Sequence, residues 1–446
     1  MKVLMYGWEF PPYISGGLGV ACYNITKYLD PLVSHTYFVL PKSGKNESTF
    51  NKTTLLSSIQ ISKKNKNTPS SSEKNNPQNK HVKTLTLIPI KADIDPYNTQ
   101  ESFLSSQTLI HSVINSSVQQ QENTSNTENT SNPFSIDINN PLMAKVLHYA
   151  NHAGTLALMY EHDIIHAHDW LTILAAIEAK KYSQKPVVFH VHATEYDRSG
   201  KNMNQLIYNI EKLGIQKADK VIAVSHYTKK LLIEKYQADP DKIEVVHNGV
   251  SKKLTSNVLY QPFEKKINET LVLYLGRLTY QKGPDYFIKA AKKVLECKKD
   301  IRFVIAGNGD MMPWLMEEVN YWGLGEYFYF TGFLNDELVE HLFKISDMYV
   351  LPSVSEPFGI APLEALYYGV PVILSKSSGV SEVLNHVLKV DFWDINEMAN
   401  KILALAKYKP LKKHLMHQSK KELPNINWDV ASKKIFKIYQ QLTRCL

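Results

Sequence analysis

Cysteine is scarce in this 446-residue chain. Cys22, Cys297 and Cys445 have no metal-type spacing and imply no disulfide framework. A reducing cytoplasm is the compartment that usage suggests. Long apolar runs are missing from the N-terminus, where MKVLMYGWEF reaches a charged, proline-rich loop after a few apolar residues. That is too short for a signal h-region or a membrane span. The glycine-rich turn that follows, GGLG, is not GxGxxG and lacks the Lys-Ser/Thr of a P-loop, which weakens the NAD and ATPase readings. A basic face for nucleic acid is absent too. The net charge is +8, but residues 42–80 hold eight lysines against two glutamates and so carry +6 of it. The remaining chain is close to balanced, which argues against a nucleic-acid partner.

What is present is a soluble composition, 43% hydrophobic and 11% aromatic, on a chain long enough for two domains. Two stretches, 42–80 and about 115–140, are polar and nearly free of aromatics, and they read as disordered surface inserts. Elsewhere short apolar runs alternate with amphipathic segments. In the second half TLVLYLG, RFVIAG, YFYFTGF, DMYVLPS and VPVILS read as strands. Helical segments such as PDYFIKAAKKVLEC separate them. The first half repeats the pattern with KVLMYG, TLTLIPI, DIIHAHD, PVVFHVHA, KVIAVS and IEVVHNG. Near-continuous apolar strands alternating with helices predict α/β architecture with two doubly wound, Rossmann-like domains that meet near residues 250–270. Ligands of such sheets bind beyond the carboxyl ends of the strands, so the loops after strands deserve inspection.

Four of those loops offer chemistry. Gly16 and Gly17 precede a helix whose N-terminus suits an anion, although such turns are common. GRLTYQKG places Arg277 and Lys282 ahead of a helix, a pair that fits a diphosphate or is simply solvated. Gly307 and Asn308 lie in VIAGNGD, placed for a base or ribose or else forming a plain turn. HVHATEYDRSG carries His190 and His192 on one strand face, and IIHAHDW carries His166, His168 and Asp169. These resemble metal ligands by type, but H-x-H-D without a third anchored partner favours a sugar pocket over zinc. Finally, SEPFGIAPLEALYYG sets Glu356 on a loop and Glu364 inside the following helix, eight positions on. Backbone N–H groups at the helix start lie between them.

Together these segments resemble the retaining nucleotide-sugar glycosyltransferases of family 4 and the glycogen and starch synthases, over nearly the whole chain outside the polar inserts. SEPFGIAPLEALYYGVPVI matches their E-x7-E signature, GRLTYQKG their diphosphate loop, GGLG their N-terminal glycine loop and HAHDW a glycogen-synthase segment. The resemblance implies a GT-B fold, two Rossmann-like domains facing across a cleft. The N-terminal acceptor-side domain would be 1–250, the nucleotide-sugar domain 251–425, and 426–446 a helix crossing back to the first. It implies that Arg277 and Lys282 hold the donor diphosphate and offset leaving-group charge. Glu364 would bind ribose, Glu356 the donor sugar near its C3 and C4 hydroxyls, and the amides around Phe358, Gly359 and Ile360 sugar or phosphate. His192 would approach the C6 hydroxyl and anomeric centre, with Gly16 and Gly17 closing on the phosphates.

The expected reaction is hexose transfer, metal-independent and without a cofactor, from UDP-glucose or ADP-glucose to an α-glucan. Ile14 stands where bacterial ADP-glucose enzymes of the family carry lysine, and this leaves the donor base open. The alternative is a lipid-linked or cell-envelope acceptor, with peripheral membrane contact through the lysine-rich segment. A fold-related epimerase and a binding protein with a decayed site fit the motifs less well. Oligomeric state is left open.

Overall fold

The computed structural model describes residues 1–11, 16–41, 53–56, 141–250, 265–266 and 269–444. Ile14, the expected strand in TLTLIPI and the second polar segment lie outside them. In chain order the first half comprises β1 (Lys2–Tyr6), α1 (Gly17–Leu29), β2 (His35–Val39), β3 (Thr53–Leu56), α2 (Pro141–Thr155), β4 (Ile164–His168), α3 (Trp170–Ser183), β5 (Val187–Val191), α4 (Glu195–Ser199), α5 (Gln205–Lys217), β6 (Lys220–Ala223), α6 (His226–Tyr236) and β7 (Ile243–Val245). Then follow β8 (Thr270–Leu275), α7 (Pro284–Cys297), β9 (Ile301–Ala306), α8 (Met312–Tyr321), β10 (Phe328–Gly332), α9 (Asp336–Ile345), β11 (Met348–Leu351), α10 (Ala361–Tyr367), β12 (Val372–Ser375), β13 (Leu388–Val390), α11 (Ile395–Lys407), α12 (Lys409–Glu422) and α13 (Trp428–Arg444).

Among the described residues the strands form two sheets, ordered β3-β2-β1-β4-β5-β6-β7 and β10-β9-β8-β11-β12-β13. The pairs β1–β2, β1–β4, β8–β9 and β8–β11 are parallel, so each sheet starts in the middle and grows outward on both sides. That is the doubly wound order, and it brings the loops after β8, β9 and β11 to one end of the second sheet. Both sheets are Rossmann-like. Within the lysine-rich segment, the β-branched and apolar run TTLL pairs as β3 against β2, so four residues of that polar stretch join the sheet.

Strands β4, β5 and β11 are buried along their whole length, as parallel strands covered on both faces must be. In the second sheet Phe287 of α7, fully buried, sits 5.4 Å from the ring of Tyr274 on β8 and 5.7 Å from Phe303 on β9. Contacts group the chain into two compact units. One contains Met1–Val191, Asn204–Val221 and Phe436–Leu446, and the other His192–Met203 and Ile222–Ile435.

Asp347, just before β11, ties three parts of the second unit together. It accepts from the Leu271 amide at 2.9 Å and pairs with Lys265 and with Lys412 of α12, the latter at 2.9 Å. Burial opposes its ionisation, but Lys265, that amide and Lys412 outweigh the penalty and hold the carboxyl below its usual range. A depressed carboxylate stabilises the fold above its unfolded pKa, and the contribution disappears as pH falls through the folded value. Asp347→Asn is therefore expected to lower stability by about 2 kcal/mol at pH 7. The difference should shrink below about pH 4, as measured by urea unfolding.

Candidate active site

The second unit gathers the candidate residues on three loops. After β8, the chain turns through a short 3-10 segment, Tyr280–Lys282, into Gly283 and the start of α7. Gly283 has φ 63, and a Cβ there would meet the Pro352 carbonyl oxygen at 2.2 Å, so only glycine fits. After β9, Gly307 has φ 134, and its Cβ would sit 2.0 Å from the Gly276 carbonyl oxygen. The Leu278 amide also donates to the Asn308 carbonyl at 2.9 Å. The loops carrying Arg277 and Asn308 thus touch backbone to backbone. Arg277 and Asn308 themselves are exposed. Among the described residues Arg277 has no acidic partner, which leaves a guanidinium available to an anion.

The third loop follows β11. Glu356, 5% exposed, accepts from Lys282 Nζ at 2.6 Å and from the Ser353 hydroxyl at 3.2 Å. Its backbone is fixed as firmly, because its amide donates to the Ser377 carbonyl and its carbonyl accepts from the Gly379 amide, both at 2.9 Å. Phe358 is buried, and its carbonyl accepts from the Val380 amide at 2.7 Å and the Ser378 hydroxyl at 3.1 Å. At Gly359 a Cβ would lie 3.2 Å from Glu356 Cγ, so the loop is tight where a ligand would need backbone access. Ile360 caps α10, and Glu364, partly buried, sits in its first turn. The structure thus brings Lys282 to Glu356, stations Arg277, Gly307, Asn308, Phe358, Gly359 and Ile360 on the same or adjoining loops, and puts Glu364 in the first turn of α10. His192 belongs to this unit by its contacts. Gly16 and Gly17, exposed at the N-terminus of α1, belong to the other.

Glycosyl transferases group 1 is the family matched by residues 259–422, and Glycosyltransferase Family 4 the one matched by residues 128–254. An uncharacterised glycosyltransferase of Methanocaldococcus jannaschii is 31% identical over 300 residues, spanning 63% of this chain and 75% of that protein. The chain belongs to the family 4 glycosyltransferases. Glycogen synthase of Mycobacterium tuberculosis is 25% identical over 394 residues, which span 86% of this chain and 80% of that one. Among solved structures, Anabaena HepE in complex with UDP and glucose matches with a TM-score of 0.63 at 16% identity, covering 99% of this chain and 100% of that one. The shared fold is GT-B. No helix among the described residues is long and apolar enough to cross a membrane.

In this glycosyltransferase the histidines of HAHDW lie in the first unit. His166, His168 and His190 are buried, and their ligand atoms fall within 4.8 Å of one another. Their rings stack at 22° to 30° with centroids 4.4 to 5.4 Å apart, and the Tyr439 hydroxyl bonds His166 Nδ1. His190 of β5 thus supplies the third anchored imidazole that the H-x-H-D segment lacks by itself, and the three together could hold a metal ion. His190 and His192, two apart on the sequence, fall into different units.

One acid near the loop of Glu356 carries no local sequence signal. Glu382 accepts from the His226 and Tyr227 amides at the start of α6, at 2.9 and 2.6 Å, and from His247 Nε2 at 3.1 Å. Burial opposes its charge, but these donors hold its carboxyl below the usual range. Its partners lie more than 130 positions away, beyond any pattern that spacing could reveal. Desolvation pushes the His192 pKa down to about 3, so the ring is neutral at pH 7 and can donate or accept a hydrogen bond without a net charge.

A histidine depressed this way takes up a proton in the unfolded chain first. Its contribution to stability is complete above about pH 6.5 and is lost as pH falls toward 3, at up to about 1.4 kcal/mol per pH unit. His192→Gln should flatten the stability profile over that window, read from urea midpoints between pH 4 and 7.

Proposed function

We propose that this glycosyltransferase moves glucose from UDP-glucose or ADP-glucose to an α-glucan acceptor, with retention at the anomeric carbon and without a metal ion. The observation that carries the reading is the Lys282–Glu356 contact at 2.6 Å, beside the exposed Arg277 guanidinium. A lysine and an arginine on one loop, ahead of the N-terminus of α7, supply positive charge where a diphosphate leaving group develops its negative charge. A carboxylate next to that lysine suits the hydroxyls of the attached hexose. The glucan acceptor draws support from the likeness to glycogen synthase over most of both chains.

In this reading Arg277 and Lys282 hold the diphosphate, and Glu364 binds the ribose. Glu356 accepts from the sugar hydroxyls, and the backbone around Phe358, Gly359 and Ile360 lines the sugar or phosphate. Gly307 and Asn308 contact the nucleoside. His192 hydrogen-bonds near the C6 hydroxyl, and Gly16 and Gly17 meet the phosphates. The acceptor hydroxyl oxygen bonds to the anomeric carbon on the face the diphosphate leaves. The bond from that carbon to the phosphate oxygen breaks, and the departing phosphate takes the acceptor's proton. Charge stabilisation of the leaving group then does most of the work, and no second carboxylate is needed as a nucleophile.

Incubating the protein with maltoheptaose and, separately, UDP-glucose, ADP-glucose and other nucleotide sugars tests the proposal, reading oligosaccharide length and nucleotide release. Elongation is expected with one glucose donor. Lys282→Ala and Glu356→Ala should each lower its rate about 100-fold. Nucleotide release without elongation would move the acceptor to a lipid-linked or envelope glycan. Wild-type rates in either variant would overturn the site assignment.

A further inference from the structure

The loop that carries Glu356 is gripped from the side by residues distant in sequence, and the grip has a direction. Asp197, buried in α4, has one carboxylate oxygen occupied by its own cap. Oδ2 accepts from the amide and the hydroxyl of Thr194, each at 2.8 Å. The other oxygen, Oδ1, accepts from the Ser355 hydroxyl at 2.6 Å. Ser355 has a single hydroxyl proton, which goes to Asp197, so the contact of 3.0 Å between Ser355 and Tyr227 must be the Tyr227 hydroxyl donating. The chain of bonds therefore runs Tyr227 to Ser355 to Asp197. Ser355 immediately precedes Glu356.

Further bonds grip the same loop on either side. The Val354 amide donates to the Gln281 carbonyl at 2.9 Å, and Gln281 is the residue before Lys282. The Pro357 carbonyl accepts from Ser225 at 2.6 Å and Thr228 at 3.2 Å, at the first turn of α6. Every polar group from 354 to 357 that is named here is thus tied to α4, to α6 or to the Lys282 loop. Of these ties, the Asp197–Ser355 bond is the one made to an acid, and it is short and partly buried. Connected hydrogen bonds polarise one another, so such a network resists deformation more than its separate bonds would.

We propose that Asp197 and Ser355 are positioning residues, which together with Tyr227 fix the loop so that Glu356 meets the donor sugar. Neither touches the substrate. The inference rests on the donor-site reading above for its effect on turnover, but not for its effect on the loop itself. A carboxylate displaced by an ångström loses its bond to a sugar hydroxyl, while the diphosphate, held by Arg277 and Lys282, is still bound.

The test uses full-length Ser355→Ala, Asp197→Asn, the double variant and Tyr227→Phe, with two measurements. Hydrogen exchange in the free protein is expected to speed up at least about tenfold for the peptide covering 352–360, with β8 and β9 unchanged. Turnover of the glucose donor that the wild type accepts is expected to fall about tenfold or more, with affinity for UDP or ADP alone within about twofold. The double variant should be no slower than the slower single one, because both substitutions act on the same bond. Tyr227→Phe should show the same pattern with a smaller loss. Uniformly faster exchange across the second unit would overturn the proposal, since it marks general destabilisation. Turnover within twofold of wild type would also overturn it, as would losses that multiply in the double variant. If the wild type turns over no nucleotide sugar, the donor-site reading fails, and the exchange measurement alone decides whether Asp197 and Ser355 hold the loop.

Discussion

An ammonium and a carboxylate with little exposure to water, Lys282 and Glu356, constrain everything around them. Each is 7 to 18% exposed at its side chain, so removing either one leaves the other poorly solvated and without its charged partner. Seventy-four residues separate them. To meet, the loop after β8 and the loop after β11 must lie side by side at the same edge of the sheet, and β8 and β11 are indeed hydrogen-bonded neighbours. The parallel order β10-β9-β8-β11-β12-β13 therefore acts as the device that builds the pair.

Glycine makes the close approach of those loops feasible. Gly283 lies against the Pro352 carbonyl, and Gly307 against the Gly276 carbonyl, at distances no side chain would survive. Backbone contact replaces side-chain packing at this end of the sheet. The loops can then be short, with Arg277 and Asn308 pointing outward and Glu356 inward. Away from this edge the unit is an ordinary α/β core, with Phe287 between Tyr274 and Phe303 and Asp347 paired with Lys412.

Much of this was legible in the chain. Apolar runs such as TLVLYLG and DMYVLPS became β8 and β11, and PDYFIKAAKKVLEC became α7, because burial on both faces of a parallel sheet imposes a composition that survives in one dimension. The family was legible as well, since its signature is a local string. Other elements left fainter traces. HTYFV and TTLL became β2 and β3, the latter inside a tract whose average polarity hides a four-residue strand. The neighbouring histidines His190 and His192 were read as one constellation. The fold assigns them to separate units, because the division falls between Val191 at the end of β5 and His192.

The sequence by itself determined the α/β architecture, the doubly wound sheets, the loops on which Arg277, Lys282 and Glu356 sit and the helix that holds Glu364, since periodicity and motif are properties of neighbouring residues. Only the tertiary structure decided that Glu356 pairs with Lys282, that Asp197 reaches Ser355 across 158 positions, and that Glu382 closes on the first turn of α6. Those bonds depend on which strands lie side by side and which loops glycine allows to touch. Hydrogen bonding at under 3 Å between such distant residues leaves no spacing rule in the chain.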